Sequence, residues 1–227
     1  MGKGGEKEIL RVSATVEDIK KSYGMMSQFY GAVEKFEKGP RERGLELLSV
    51  KEGDVVLEIG VGTGFSLQEI AKSVGAAGKA YGIDITPEML RLTEKRLRKA
   101  GLTDRVELDE GDARAMPYED NMFDAVYMAA TLELFDTPDI PKVLGEIKRV
   151  LKPSGRLGVA SLSKEGRESF WFLRCYEWLH QKLPKYASCR PIYVEPAIKD
   201  AGFDIVKREE FMIMKLVPMK LVMAMPR

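Results

Sequence analysis

The stretch VVLEIGVGTG, residues 55–64, constrains the fold of this chain more than any other. Val55, Val56, Leu57 and Ile59 form a short apolar run, the pattern of a parallel strand buried on both faces, with Glu58 interrupting it near its end. Gly60, Gly62 and Gly64 follow at every second position, and Leu67, Ile70, Ala71 and Val74 then recur at helical spacing. Strand, glycine loop and helix make the arrangement in which a backbone comes close to a nucleotide-like ligand. The dinucleotide form of this turn carries G-x-G-x-x-G and sets a helix N-terminus against a pyrophosphate. Here the pattern is E-x-G-x-G-x-G, which speaks against that ligand. A glycine loop taken alone also reads as a purely structural turn.

Beyond the loop, strands and helices alternate. Strands are expected over 80–84, 105–108, 123–130 and 156–161, and helices over 87–100 and 138–151. Thr86 suits an N-cap, Pro87 the first helical position and Gly101 the stop. Thr137 is expected to cap the next helix, with Pro153 and Gly155 ending it. Arg91, Lys95, Arg98 and Lys99 read as a solvated helix face rather than a binding patch. A short helix over 194–201 and strands over 204–211 and 218–225 complete the chain. Alternation of this kind implies a parallel sheet with helices on both faces, and a ligand beyond the carboxyl ends of its strands.

Two segments stand outside this rhythm. Residues 1–14 are rich in glycine and charge and are expected to fray. Residues 16–36 read as a helix with Ile19, Tyr23, Met26, Tyr30 and Val33 in one stripe, broken at Gly24 and Gly31, and a second helix is expected over 40–48. No strand–helix unit precedes residue 54, so 1–49 is expected to be a helical cap and 50–227 the main domain, with the cap closing over the ligand. The other segment, 165–192, is an aromatic insertion holding Phe170, Trp171, Phe172, Tyr176, Trp178 and Tyr186.

Composition excludes several classes. At 227 residues the chain has room for one core with a cap. A net charge of +1 supplies no field that calls for nucleic acid. No apolar run reaches the length of a membrane span, so an integral membrane segment is not expected, although peripheral contact is compatible. The opening MGKGGEKEIL lacks the apolar core of a signal peptide, and Glu6 stands where a myristoylation pattern needs Ser or Thr. The expectation is therefore cytoplasmic. Cys175 and Cys189 are too few for a disulfide framework or a zinc site, and no metal is expected.

Two acidic residues extend the ligand argument. Asp84 ends the second strand, where a carboxylate can accept both hydroxyls of a ribose; with the glycine loop present this reading is favoured over that of a helix-capping carboxylate before Thr86. After strand three, Asp112 can accept an exocyclic amine and the backbone of Ala113 can meet a ring nitrogen, although Gly111 and Asp112 would also make a polar turn.

These residues, with FDAVYMAATLELF (123–135) and RVLKPSGRL (149–157), resemble the class I S-adenosylmethionine-dependent methyltransferases. The group it is most similar to is that of the ubiquinone/menaquinone C-methyltransferases and related small-molecule methyltransferases. The resemblance implies a Rossmann-like, doubly wound α/β sheet of seven strands in the order 3-2-1-4-5-7-6, the last antiparallel, and S-adenosyl-L-methionine as cofactor. It implies that Gly60, Gly62, Thr63 and Gly64 hold the methionine part, Asp84 the ribose, and Asp112 with Ala113 the adenine. Ala129 would contact the cofactor through its backbone, and Glu58, Ile85, Met89 and Gly111 complete the set. Tyr23 and Tyr30 match tyrosines of the family's cap, although core packing accounts for them equally well.

Where many relatives carry a histidine or asparagine after strand four, this chain has Thr131, Leu132 and Glu133. Two cysteines also fall short of the set that arsenic methyltransferases need. The cofactor's sulfonium already activates the methyl group, so alignment of a nucleophile supplies most of the acceleration, and a base is needed only if the acceptor must lose a proton. No base is assigned; Tyr30, Glu133 and the single histidine, His180, are candidates. The acceptor is expected to be a small apolar or amphipathic molecule, quinone-like, lipid-like or another metabolite, lying against Trp171, Tyr176, Met212 and Met214 unless these are ordinary core residues. The alternative is a non-catalytic S-adenosylmethionine-binding regulator or scaffold of the same fold. A dehydrogenase is opposed by the glycine spacing. Monomer and homodimer are both compatible.

Overall fold

A computed structural model describes residues 9–12, 15, 17–18, 20–21, 30–182 and 189–227. The strands are β1 (Val55–Ile59), β2 (Lys79–Asp84), β3 (Val106–Glu110), β4 (Phe123–Ala129), β5 (Leu151–Leu162), β6 (Phe203–Ile213) and β7 (Val217–Pro226). The helices are α1 (Tyr30–Leu48), α2 (Phe65–Ser73), α3 (Pro87–Ala100), α4 (Ile140–Val150), α5 (Trp171–Lys182) and α6 (Val194–Asp200). The strands form one sheet in the order β3-β2-β1-β4-β5-β7-β6. β1 to β5 run parallel, while β7 is antiparallel to both β5 and β6.

Register brings the loops of the site together. Ile59 pairs with Ile83 on one side and Met128 on the other, Asp84 pairs with Glu110, and Ala129 with Ala160. The strands therefore finish level, and the loops after β1, β2, β3 and β4 all leave from one edge. β6 runs in the same direction as β5, so the tip of the β6–β7 hairpin returns to that edge as well.

Successive strand residues point to opposite faces. Val56, Ala80, Ala125, Tyr127 and Ala160 meet Leu48 of α1, Leu67 and Ile70 of α2, and Leu97 of α3. Leu57, Val126, Leu157, Val159 and Val222 meet α4 through Val143, Leu144 and Ile147, and α6 through Val194 and Ile198. Each buried Val, Leu or Ile among them contributes about 1.5–3 kcal/mol relative to exposure. A smaller cluster of Leu162, Leu173 and Met219, with Phe170, Phe172, Tyr176 and Phe211, lies under α5.

Several local expectations are corrected. Pro40 does not start a helix; it lies inside α1, which runs unbroken through Gly31 as well. Packing against the sheet holds the helix together across the missing amide donor. Gly39 lies against the Phe211 ring, and a Cβ at Gly44 would collide with the Tyr127 hydroxyl, so these glycines set how closely α1 approaches the strands. Thr86 stands at the N-cap of α3, but its side chain makes no capping bond; the Asp84 carboxylate takes the Thr86 amide instead, at 2.9 Å. α4 begins at Ile140 after Asp139 rather than at residue 138 after Thr137. Pro153 and Gly155 fall within β5, where pairing jumps from Phe123–Leu151 to Ala125–Arg156, so they occupy an irregular excursion and not a helix terminus.

Residues 9–12 are tied down, contrary to the expectation that they fray. Arg11 and the Val12 amide bond Asp136, and the backbone carbonyl of Leu10 accepts from Arg190. Arg190 is fully buried and also donates to the Glu133 carbonyl at 2.9 Å. Of the segment assigned to a cap, Tyr30–Leu48 is built onto one face of the sheet through its C-terminal half. Tyr23, Met26, Tyr186 and the side chain of Tyr30 lie outside the described residues.

Candidate cofactor site

The three glycines after β1 are all left-handed, with φ of 74°, 53° and 77°, yet each meets a different neighbour. A Cβ on Gly60 would lie 2.5 Å from Thr131 Oγ1, and one on Gly64 would lie 2.8 Å from Thr93 Cγ2. Those two positions allow close packing against the loop after β4 and against α3. A Cβ on Gly62 would meet nothing within 4 Å, because this residue faces open space at the carboxyl edge. The loop is held from below: Gly60 N–H donates to Ile83 O at 2.8 Å, and Thr93 Oγ1 donates to Gly62 O at 2.9 Å.

This division gives a test. Gly60→Ala is expected to destabilise the fold by about 2–4 kcal/mol, combining left-handed strain with a clash, whereas Gly62→Ala should cost only about 1–2 kcal/mol. Chemical denaturation of the two variants compares them directly. Equal losses would show that the packing against Thr131 does not matter.

Asp84 sits at the hinge of the loop. Its Oδ2 accepts from the Gly62 amide at 3.0 Å and its Oδ1 from the Thr86 amide. The carboxylate is 9% exposed, and burial raises its pKa against the opposing pull of those two amides. Both roles weighed for it, helix start and ligand acceptor, are sterically open, since each oxygen keeps a lone pair.

An open cavity lies above these residues. Gly60 and Gly62 line it from β1, Asp84, Ile85 and Met89 from β2 and α3, Gly111, Asp112 and Ala113 from β3, and Ala129 from β4. Asp112 lies in an ion network: Arg114 Nη2 donates to its Oδ2 at 2.6 Å and Arg114 Nη1 to Asp139 at 2.8 Å. Burial pushes the Asp112 pKa up, but the bonds from Arg114 outweigh it and hold the carboxyl below its ordinary value.

Other expected residues are placed elsewhere. Glu58 lies wholly inside the protein, and among the described residues neither of its oxygens has a partner at full hydrogen-bond geometry. Thr63 and Gly64 are not among the lining residues. Glu133 is buried beneath the edge, with Oε2 accepting from Ser161 Oγ at 2.8 Å and Oε1 from Leu162 N–H at 3.0 Å, an arrangement that clamps the loop after β4 to β5. His180 is buried on α5 with Nε2 against the Arg11 carbonyl, 3.2 Å away. Tyr176 packs in the cluster under α5 and bonds the Cys189 thiol. Met212 is half-buried on β6, while Trp171 and Met214 are strongly exposed. None of these lines the cavity.

Sequence reasoning missed several residues that do. Arg41 reaches the cavity from α1, almost fully buried, with Nη2 donating to Glu37 at 2.7 Å. Thr131, Asp136 and Asp139 line it from beyond β4. Arg11 holds Asp136 well below the carboxylate range, at about 2. Nothing in the periodicity of α1 separates Arg41 from its exposed neighbours. The acids after β4 carried a signal, since that loop was known to leave the ligand edge.

The sheet order, the glycine loop after β1 and the acids ending β2 and following β3 define a nucleoside-binding α/β protein of methyltransferase type. A family profile described as a methyltransferase domain matches residues 56–155. The demethylmenaquinone methyltransferase of Bacillus subtilis is 31% identical over 73% of this chain and 68% of its own length. That of Lactobacillus johnsonii is 38% identical over 56% of this chain; the match spans about half of that relative, 52% of its length. The crystal structure of a SAM-dependent methyltransferase from Aquifex aeolicus is 30% identical, covers 81% of this chain and 88% of its own, and superposes with a TM-score of 0.60. This chain belongs to the class I S-adenosyl-L-methionine-dependent methyltransferases.

The residues present fit that cofactor. Asp84 offers buried acceptor oxygens for hydroxyls and Asp112 an acceptor beside Ala113, while Ile83, Ile85 and Met89 offer apolar walls. The Arg41 guanidinium and the exposed space above Gly62 suit the charged amino-acid end. Among the described residues, no helix is long and apolar enough to cross a membrane.

Proposed function

We propose that the protein transfers a methyl group to a small apolar or amphipathic acceptor of quinone-like character, by in-line displacement. The observation that carries the reading is the cavity in which Gly62, Asp84, Asp112 and Arg41 converge. The names of the relatives, demethylmenaquinone methyltransferases, support the acceptor class. When bound, S-adenosyl-L-methionine supplies a methyl group already activated on a sulfonium. Asp84 holds the ribose, Asp112 and the Ala113 backbone hold the adenine, and Arg41 with the backbone of Gly60 and Gly62 holds the amino-acid end. The segment before α1, expected to close over the site, lies in large part outside the described residues. The work takes place in the cytoplasm, by a monomer or homodimer.

No base is required of the chain. Glu133 spends both oxygens on Ser161 and Leu162, and His180 faces a backbone carbonyl. Catalysis then rests on alignment and exclusion of water. An acceptor whose own hydroxyl ionises easily, as in a hydroquinone, suits such a site. Glu133→Gln should therefore leave the pH dependence of turnover unchanged.

The test is incubation with methyl-labelled cofactor and a panel of hydroquinones, phenols and amines, with mass identification of the product. Label in a ring carbon of a hydroquinone is the expected result; transfer only to the amines would refute the acceptor class. In the same assay Arg41→Ala should raise the KM for cofactor about 10- to 100-fold, the loss of one or two bonds to a charged group, with little change in kcat. An unchanged KM would remove Arg41 from the proposed site.

A further inference from the structure

We infer that α5 and the tip of the β6–β7 hairpin form a docking surface that seats this protein on an anionic lipid bilayer. The inference stands on the surface alone and not on the choice of acceptor.

α5 has two faces. Leu173 and His180 point inward, and Phe172 and Tyr176 join the cluster with Leu162, Met219 and Phe211. Trp171 and Trp178 point outward, 61% and 60% exposed, and their separation of seven positions is about two helical turns, which places both on one stripe. Seven large apolar side chains are exposed among the described residues, and five of them, Trp171, Trp178, Leu179, Met214 and Leu216, belong to α5 or the hairpin tip. That concentration separates the surface from the scattered apolar residues any protein shows. The two elements touch through the shared cluster, to which the hairpin gives Phe211, Ile213 and Val217. At the tip, Met214 and Lys215 adopt left-handed φ of 49° and 60°, a turn that projects its side chains away from the sheet.

The charges select the occupant. Arg174, Lys182 and Lys215 are exposed on the same two segments, and among the described residues none of them makes an ion pair. The acid of α5, Glu177, is turned to Lys164 at 2.9 Å, and Glu210 on β6 is held by Lys220 and Arg167. The surface thus combines interfacial tryptophans and apolar tips with unopposed cations, the combination that binds at the headgroup level of an anionic membrane. A second copy packed by a two-fold axis would set this cationic patch against itself. The hairpin tip also lies at the edge of the sheet where the cofactor cavity opens, so docking points that edge toward the bilayer.

Trp171 and Trp178 are the only tryptophans of the chain, so intrinsic fluorescence reads this surface without a label. Vesicles of phosphatidylcholine mixed with phosphatidylglycerol should shift the emission to the blue, and brominated lipid should quench it. Vesicles of phosphatidylcholine alone should do neither to comparable extent. In vesicle sedimentation, Trp171→Ser with Trp178→Ser, and separately Arg174→Glu with Lys215→Glu, should each lower partitioning about tenfold or more while leaving the melting temperature in place. Absence of a spectral shift with the anionic vesicles overturns the inference. So does a lipid-independent blue shift that grows with protein concentration and accompanies dimer formation, which would assign the surface to a second copy. Sedimentation with lipid that ignores both pairs of substitutions would overturn it as well.

Discussion

An Asp84→Ala protein is expected to bind S-adenosyl-L-methionine about two to four orders of magnitude more weakly than the parent. The proposed contacts are two hydrogen bonds to a charged acceptor, worth about 1.5–3 kcal/mol each, and every 1.4 kcal/mol is a factor of ten. The substitution also orphans the Gly62 and Thr86 amides, which now share the carboxylate. Calorimetric titration with the cofactor and with its demethylated product measures the effect. Both should raise the melting temperature of the parent protein, as native-state ligands must, and NAD should not. Undiminished affinity in Asp84→Ala, or stabilisation by NAD, would refute the assigned site.

The pH dependence of binding follows from burial. Because desolvation raises the Asp84 pKa, the carboxylate is protonated on acidification earlier than an exposed aspartate, and cofactor affinity should begin to fall at correspondingly higher pH. For the apo fold the sign is opposite. A raised carboxyl pKa means the native state takes up its proton first, so this residue opposes folding at neutral pH and ceases to do so as pH falls. Asp84→Asn should thus weaken binding and remove this residue's contribution to the pH dependence of stability, at the cost of one of the two amide bonds it accepts.

The second large effect is expected from Glu58→Gln. Glu58 is fully enclosed beneath the glycine loop, close to Ser66 and the Leu67 backbone, and among the described residues neither of its oxygens nor Ser66 Oγ has a partner at full hydrogen-bond geometry. Burial pushes its pKa from 4.5 up to about 8, with Arg41 pulling in the other direction. Below pH 4.5 the carboxyl is neutral in both folded and unfolded chains. Between 4.5 and about 8 the native protein keeps a proton that the unfolded chain has lost, so stability declines as pH rises through that window. The full shift corresponds to a contribution on the order of 4–5 kcal/mol. Glutamine cannot ionise, so the variant should match the parent near pH 4 and exceed it by several kcal/mol above pH 8. Urea denaturation across this range compares them. A difference between the two proteins that does not vary with pH would mean that Glu58 does not titrate there.

Much of the fold was legible in the chain. The glycine loop, Asp84 at the end of β2, the Pro87–Gly101 helix and the buried run of β4 are short-range patterns: hydrophobic period, turn chemistry and capping act within a few residues of themselves. The strand order and the cofactor came from the family resemblance those residues carry. Local rules failed where distant chain intervened. Pro40 reads as a helix start until the sheet holds α1 together across it. Thr86 holds the N-cap position it was read for, but the bonding there is left to Asp84, and Thr137 reads as a cap until the actual start of α4 displaces it.

The site divides in the same way. The sequence by itself determined that a glycine loop and two acids would gather at one edge, since strand alternation sends every such loop there. Only the tertiary structure decided that Gly60 and Gly64 pack tightly against Thr131 and Thr93 while Gly62 has open space above it. It alone brought Arg41 into that cavity, bound Glu133 to Ser161 and Leu162, and left Trp171 and Trp178 facing outward. The physical reason is range. Backbone conformation is set largely by neighbours along the chain, whereas burial, charge pairing and the direction of a side chain depend on residues many positions away, whose approach is fixed only when the layers pack.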